Sequence, residues 1–203
     1  MKSMGFPISL KENENRRALV PTDLVKIRNA DCLYFQKGYG EVLGFSDDDY
    51  RKHGAHIEER TDVLKKDIIC DPKIGDADYL NQLSNQIVFG WPHAVQNREI
   101  VDVAIEKQLT IYAWEDMYEG GRHTFWRNNE IAGEAAIMQA FECYGLMPYN
   151  SKVALLGRGN VASGALKILT LLGADVSVFT RKMENTLREE LPMYDVIVNA
   201  ILW

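Results

Sequence analysis

The chain has 203 residues, 46% of them hydrophobic and 26% charged, with a net charge of −6. That composition is ordinary for a folded globular protein and argues against extended disorder. A mildly acidic balance gives no electrostatic reason to bind nucleic acid or an anionic membrane. Cys32, Cys70 and Cys143 are scattered, without a Cys-x-x-Cys pair, so neither a zinc site nor a disulfide framework is expected. No apolar run is long enough for a signal peptide or a membrane span, and the expectation is a soluble, cytoplasmic protein.

In chain order, Met4 to Ser9 reads as a short strand with a Gly-Phe-Pro turn, followed by the charged loop Lys11–Arg17. Pro21-Thr22-Asp23 predicts a helix start with Thr22 as N-cap. Leu33-Tyr34-Phe35 is a strand ending in the turn Lys37–Gly40, and Ser46-Asp47-Asp48-Asp49 opens a second helix. Strands at Asp67–Pro72, broken by its proline, at Ile87–Trp91 and at Leu109–Trp114 surround a helical pattern from Ile100 to Gln108. This alternation points to an α/β fold with a largely parallel sheet. Glu119 to Asn129 reads as polar and irregular. A long helix from about Ile131 to Tyr144, stopped by Gly145, is predicted to join two domains.

The clearest signal follows Pro148-Tyr149-Asn150. Strand Lys152–Leu156 runs into Gly157-Arg158-Gly159-Asn160-Val161-Ala162, then a helix from Ala165 to Leu172, then strand Asp175–Thr180. This is the strand, G-x-G-x-x-A, helix, strand order of a dinucleotide-binding βαβ unit. Gly157 makes the turn, Gly159 lets a pyrophosphate approach the backbone, and Ala162 lets the helix pack on the strand. The helix N-terminus offers N–H groups to phosphate. After the second strand stands Thr180-Arg181-Lys182, where NAD sites place a carboxylate. Arginine and lysine can pair with a 2′-phosphate, so NADP(H) is the preferred coenzyme, with NAD(H) possible. Arg158 is a further phosphate contact. The plainer reading of Arg181 and Lys182 is a solvated loop. A third strand, Asp195–Ala200, leaves about half of a doubly wound domain, so a chain truncated at its C-terminal end is expected.

In the first part, Asn13-Glu14-Asn15-Arg16-Arg17-Ala18-Leu19-Val20-Pro21 resembles the N-E-x-R-x-A-L-x-P segment of the alanine dehydrogenase and pyridine nucleotide transhydrogenase N-terminal family. Asp71-Pro72-Lys73 resembles that family's V-K-x-P segment with the residue order altered. Phe89-Gly90-Trp91-Pro92-His93-Ala94 resembles F-x-x-x-H-x-A, and Asn128–Ala136 resembles the M-S-E-V-A-G-R helix. The resemblance implies that Arg16 holds a 2-oxo acid carboxylate, that Lys73 contacts its carbonyl oxygen, and that His93 is the acid–base group. It implies packing at Gly133, no metal, and a homo-oligomer when complete. Without the resemblance, Arg16 would be a surface arginine, Lys73 a turn lysine and His93 a structural histidine.

Within the family, stretches such as YFQKGYGEVLGFSDDDY, GWPHAVQNREI and VALLGRGNVASGALKIL are most similar to the carboxyethylornithine synthase branch. That similarity implies NADPH-dependent reductive condensation of pyruvate with the side-chain amine of ornithine or lysine. Glu115 and Asp116 are candidates to hold the amino acid's ammonium groups. The alternatives are NAD-dependent alanine dehydrogenase and a non-catalytic nucleotide-binding fragment. The expected architecture is a Rossmann-like substrate domain over 1–127, then a linking helix and the first half of a doubly wound NAD(P)-binding domain over 128–203.

Overall fold

The computed structural model describes residues 1–201. The chain divides into two compact units, one from Met1 to Met117 and one from Tyr118 onward.

The first unit contains strands β1 (Met4–Phe6), β2 (Leu33–Gln36), β3 (His56–Glu58), β4 (Ile68–Asp71), β5 (Ile87–Gly90) and β6 (Thr110–Ala113), with helices α1 (Pro21–Leu24), α2 (Asp47–Arg51), α3 (Arg60–Val63) and α4 (Arg98–Glu106) between them. The sheet order is β3-β2-β1-β4-β5-β6 and every pairing is parallel. Chain direction reverses across the sheet at β1 and β4, which is the place where doubly wound folds open a crevice. One core cluster is aromatic: Phe6 stacks on Phe35 at 4.5 Å, and Tyr39 and Tyr50 close around them. The other is built from Ile69, Ile74, Tyr79, Leu83, Val88 and Ile100. The first strand is shorter than the sequence pattern suggests, ending at Phe6. Thr22 is not the N-cap of α1. Pro21 occupies the first helical turn, and the cap is Val20, whose N–H donates to Asp23 Oδ2 at 3.0 Å. A proline that already supplies the helical φ moves the start two residues earlier.

The second unit opens with the antiparallel hairpin β7 (Tyr118–Glu119) and β8 (Arg122–His123), inside the stretch that reads as irregular. Helix α5 (Trp126–Tyr144) starts five residues before the predicted position and ends at Gly145, φ +78°. A parallel sheet of order β10-β9-β11 follows, from β9 (Lys152–Leu156), β10 (Asp175–Phe179) and β11 (Val196–Asn199), with α6 (Asn160–Leu171) and α7 (Glu184–Glu190) as connections. Helix α6 also begins five residues earlier than its apolar pattern, because its first turn is the glycine loop itself.

Helices α5 and α6 meet through two glycines. A Cβ on Gly133 would lie 2.0 Å from the Val161 carbonyl oxygen, and one on Gly164 would lie 1.9 Å from that of Glu130. The crossing brings backbone against backbone, and Glu134 of α5 ties it with an ion pair to Lys167 of α6 at 2.9 Å, while Arg127 holds Glu134 from within α5 at 2.9 Å. Gly164→Ala is therefore expected to destabilise the unit by about 2 kcal/mol despite alanine's better helix propensity. Thermal denaturation should show Tm lowered by roughly 10 °C for a unit of this size.

Candidate active site

The loop after β1 is fastened to the aromatic core. Ala18 N–H donates to Tyr39 Oη at 2.9 Å, Tyr50 Oη donates to the Leu19 carbonyl at 3.3 Å, and Arg17 Nε donates to the Tyr39 carbonyl at 2.5 Å. Burial pushes the Tyr50 phenol up to about 12, so it stays a donor. This anchoring fixes Arg16 in space. Glu14 Oε1 accepts from both the backbone N–H and Nε of Arg16 at 2.9 Å, and Oε2 accepts from Nη2 at 2.5 Å. The guanidinium lies over the Trp91 ring, 5.4 Å from its centroid. Glu14 Asn13, Asn15, Arg16, Arg17 and Leu43 border an open depression of about 600 Å³. Burial raises the Glu14 carboxyl, but the hydrogen bonds and charge of Arg16, with the charge of Lys73, outweigh it and hold the group below its ordinary value. Arg16 is raised in turn, by its hydrogen bond to Glu14 and by the charges of Glu14 and Asp71.

Strand β4 ends at Asp71, which is 1% exposed. Its Oδ1 accepts from Lys73 N–H at 2.8 Å and its Oδ2 from Tyr79 Oη at 2.6 Å. The Lys73 ammonium pairs with Asp76 at 3.0 Å. The turn then seats on the end of β5: Gly75 N–H donates to the Trp91 carbonyl at 3.0 Å, and a Cβ at Gly75 would be 2.6 Å from the Pro92 oxygen. Two residues on, His93 adopts φ +52°. Glu115, just past β6, holds it there. Its Oε1 accepts from His93 N–H at 2.8 Å and sits 3.2 Å from His93 Nδ1. Glu115 Oε2 is buried and has no hydrogen-bond partner. Trp114 stands edge-on to both Phe89 and Trp91, at 5.2 and 4.7 Å.

Arg16, Lys73 and His93 thus come from the carboxyl ends of β1, β4 and β5, joined by Glu14, Asp71 and Trp91. Sequence reasoning missed Glu14 and Asp71 as holders of these groups, although both lie inside the quoted motifs. Tyr79 and Asp76 carried no signal. Glu115, proposed from sequence for an ammonium group, is engaged with His93 through one oxygen.

In the second unit Gly157 leaves β9 with φ +113°, and its N–H donates to the Phe179 carbonyl at 2.9 Å. A Cβ there would meet the Ala200 oxygen at 2.9 Å. Gly159 caps α6, yet a Cβ on it would find nothing within 4 Å. Ala162 is buried against β9 in the core, Asn160 is half-buried, and Arg158 and the Val161 side chain are exposed. Thr180, half-buried, follows β10, and the exposed Arg181 and Lys182 form a 3₁₀ turn closed by Met183 N–H on the Thr180 carbonyl at 2.8 Å. Since Phe179 pairs with Leu156, this cationic turn and the glycine loop leave neighbouring strand ends. Among the described residues no His, Cys, Asp and Glu group could hold a metal, and no helix is long and apolar enough to cross a membrane.

An all-parallel sheet with a basic, imidazole-bearing edge, and a second unit with a glycine loop entering a helix, define an α/β protein of the dehydrogenase class. The chain belongs to the alanine dehydrogenase/PNT N-terminal domain family, which it matches over residues 5–125, a family of NAD(P)-dependent oxidoreductases. It is 32% identical to N(5)-(carboxyethyl)ornithine synthase of Clostridium botulinum, over 98% of this chain and 68% of that one. Its fold resembles a solved L-alanine dehydrogenase, with TM-score 0.70 at 22% identity over 97% of this chain and 60% of that one. It also resembles a transhydrogenase from Sinorhizobium meliloti, with TM-score 0.73 at 20% identity over 98% and 70%. The chain therefore spans about two thirds of the length of these proteins.

The Glu14–Arg16 pair makes a stability prediction. Because the folded carboxyl is depressed, its contribution is present above the unfolded value of 4.5 and is lost as pH falls through the folded one. Glu14→Gln should cost roughly 1 kcal/mol at pH 7, with the gap from the parent narrowing toward pH 3.5. Paired thermal melts across that range measure it.

Proposed function

We propose that the protein is an NADPH-dependent oxidoreductase that condenses pyruvate with the side-chain amine of ornithine or lysine, forming a secondary amine. The observation that carries this reading is the gathering of Arg16, the Lys73 turn and the His93 loop around Trp91 at the carboxyl edge of one parallel sheet. A 2-oxo acid needs a bidentate cation for its carboxylate and a second cation at its carbonyl oxygen. Arg16 and Lys73 meet those needs. His93 is the acid–base group for the protons exchanged as the amine adds and water leaves. Glu115 takes Nδ1 and so presents Nε2 for that exchange.

The glycine loop fits a dinucleotide. Gly159 offers bare backbone to open space at the head of a 12-residue helix, where N–H groups favour phosphate. Arg158, Asn160 and Val161 border that space, Arg181 and Lys182 supply the cations a 2′-phosphate requires, and Thr180 offers a hydroxyl beside them. Bound NADPH supplies the hydride. The similarity to the Clostridium synthase supports the amine chosen.

The test follows NADPH oxidation at 340 nm on addition of pyruvate, with and without ornithine or lysine. The expected outcome is oxidation that requires both substrates and is slower with NADH. Oxidation supported by ammonia instead of the amino acid would make the protein an alanine dehydrogenase, and none under either condition would end this reading. Separately, Gly159→Ala is expected to change stability by less than about 1 kcal/mol, since the methyl meets no protein atom. It should weaken NADPH binding by about tenfold or more, as read by titration of nucleotide fluorescence.

A further inference from the structure

Tyr79 and Asp71 take no part in the chemistry proposed above, yet they form the most buried polar contact beside it. Tyr79 is 0% exposed and Asp71 1% exposed. Both carboxylate oxygens are used, one by the Tyr79 hydroxyl and one by the Lys73 backbone N–H. The line continues outward. Arg60 lies over the Tyr79 ring at 5.3 Å, donates to the Ile8 carbonyl at 2.7 Å, and pairs with Asp78 at 2.5 Å. Ile8 follows β1. The chain of contacts therefore joins the strand end that leads to Arg16 with the one that carries Lys73.

Stability alone does not account for this pair. A buried carboxylate loses hydration that its hydrogen bonds only partly replace, and apolar residues of similar volume often serve a core as well or better. What the apolar alternative would not do is hold the backbone N–H two residues ahead. We infer that Asp71, itself oriented by Tyr79, is a positioning residue: it fixes the backbone of Lys73 so that its ammonium meets the carbonyl oxygen of the oxo acid. This rests on the function proposed above and adds to it two residues that touch no substrate.

Tyr79→Phe removes the hydroxyl and keeps the ring. Loosening of a supporting contact of this kind typically costs 10–100-fold, and here it should lower kcat by about tenfold. KM for pyruvate should stay within about twofold, because Arg16 is undisturbed. A second readout needs no turnover. Competitive acetylation of the intact chain, followed by peptide mass spectrometry, compares Lys73 with the exposed Lys52. Tyr79→Phe and Asp71→Ala should each raise relative labelling of Lys73 by about threefold, as the ammonium leaves its fixed place beside Asp76. Asp71→Asn keeps an acceptor for the Lys73 N–H and should label like the parent. If Tyr79→Phe lowers Tm while Lys73 labelling and kcat stay at parental values, the pair is a core hydrogen bond only and the inference is overturned. If the parent turns over no pyruvate with any amine, the proposed reaction fails, while labelling still decides whether Asp71 and Tyr79 hold Lys73.

Discussion

Parallel pairing of β1 with β4 is the constraint on which the first unit depends. From β1 the chain runs on to β2 and β3 on one side, and from β4 it runs on to β5 and β6 on the other. The segments leaving the two carboxyl ends therefore diverge and leave a crevice between them. Arg16 lies on the segment that leaves β1, and Lys73 on the turn that leaves β4. His93 and Glu115 follow from β5 and β6, because strands in register end together: Asp71 opposes Gly90, which opposes Ala113. Gly90 is needed at that level, since a Cβ there would lie 2.0 Å from the Asp71 carbonyl oxygen.

Each group assigned above to a substrate is paired with a carboxylate, that of Lys73 being shared with Lys11. Glu14 holds Arg16, Asp76 holds Lys73, and Glu115 holds His93. The arrangement leaves neither cation uncompensated, and it fixes their directions before any ligand arrives. Preorganised charge costs nothing further at the moment of reaction. For the reaction proposed above, an entering oxo acid would meet guanidinium and ammonium groups already partly neutralised, so its carboxylate would gain less than from bare cations.

The strands and the glycine loop were legible because period-two apolar runs and a G-x-G-x-x-A turn are local signals. The βαβ strands at Lys152–Leu156 and Asp175–Phe179 stand where the pattern places them. The starts of α5 and α6 were not legible. Both begin in polar or glycine-containing turns whose helical state is fixed by the Gly133 and Gly164 contact between the two helices, not by their own propensity. Thr22 failed as a cap for a related reason, since the neighbouring proline outranked it. In the site, motif positions announced Arg16, Lys73 and His93. Tyr79 stayed silent because it reaches Asp71 from eight residues away, just ahead of a 3₁₀ turn, and no periodicity predicts such a contact.

The glycines of the second unit separate packing from recognition. Gly133 and Gly164 are required by a carbonyl on the facing helix, and Gly157 by a positive φ and the Ala200 oxygen. Those three are explained within the protein. Gly159 is not: its φ is −76°, open to any residue, and its surroundings would admit a methyl group. A residue type left unexplained by fold or backbone, at the head of a helix and beside a turn bearing Arg181 and Lys182, finds its reason in something that must approach the main chain closely. A pyrophosphate has that requirement, and this is the physical ground for reading the loop as a coenzyme site.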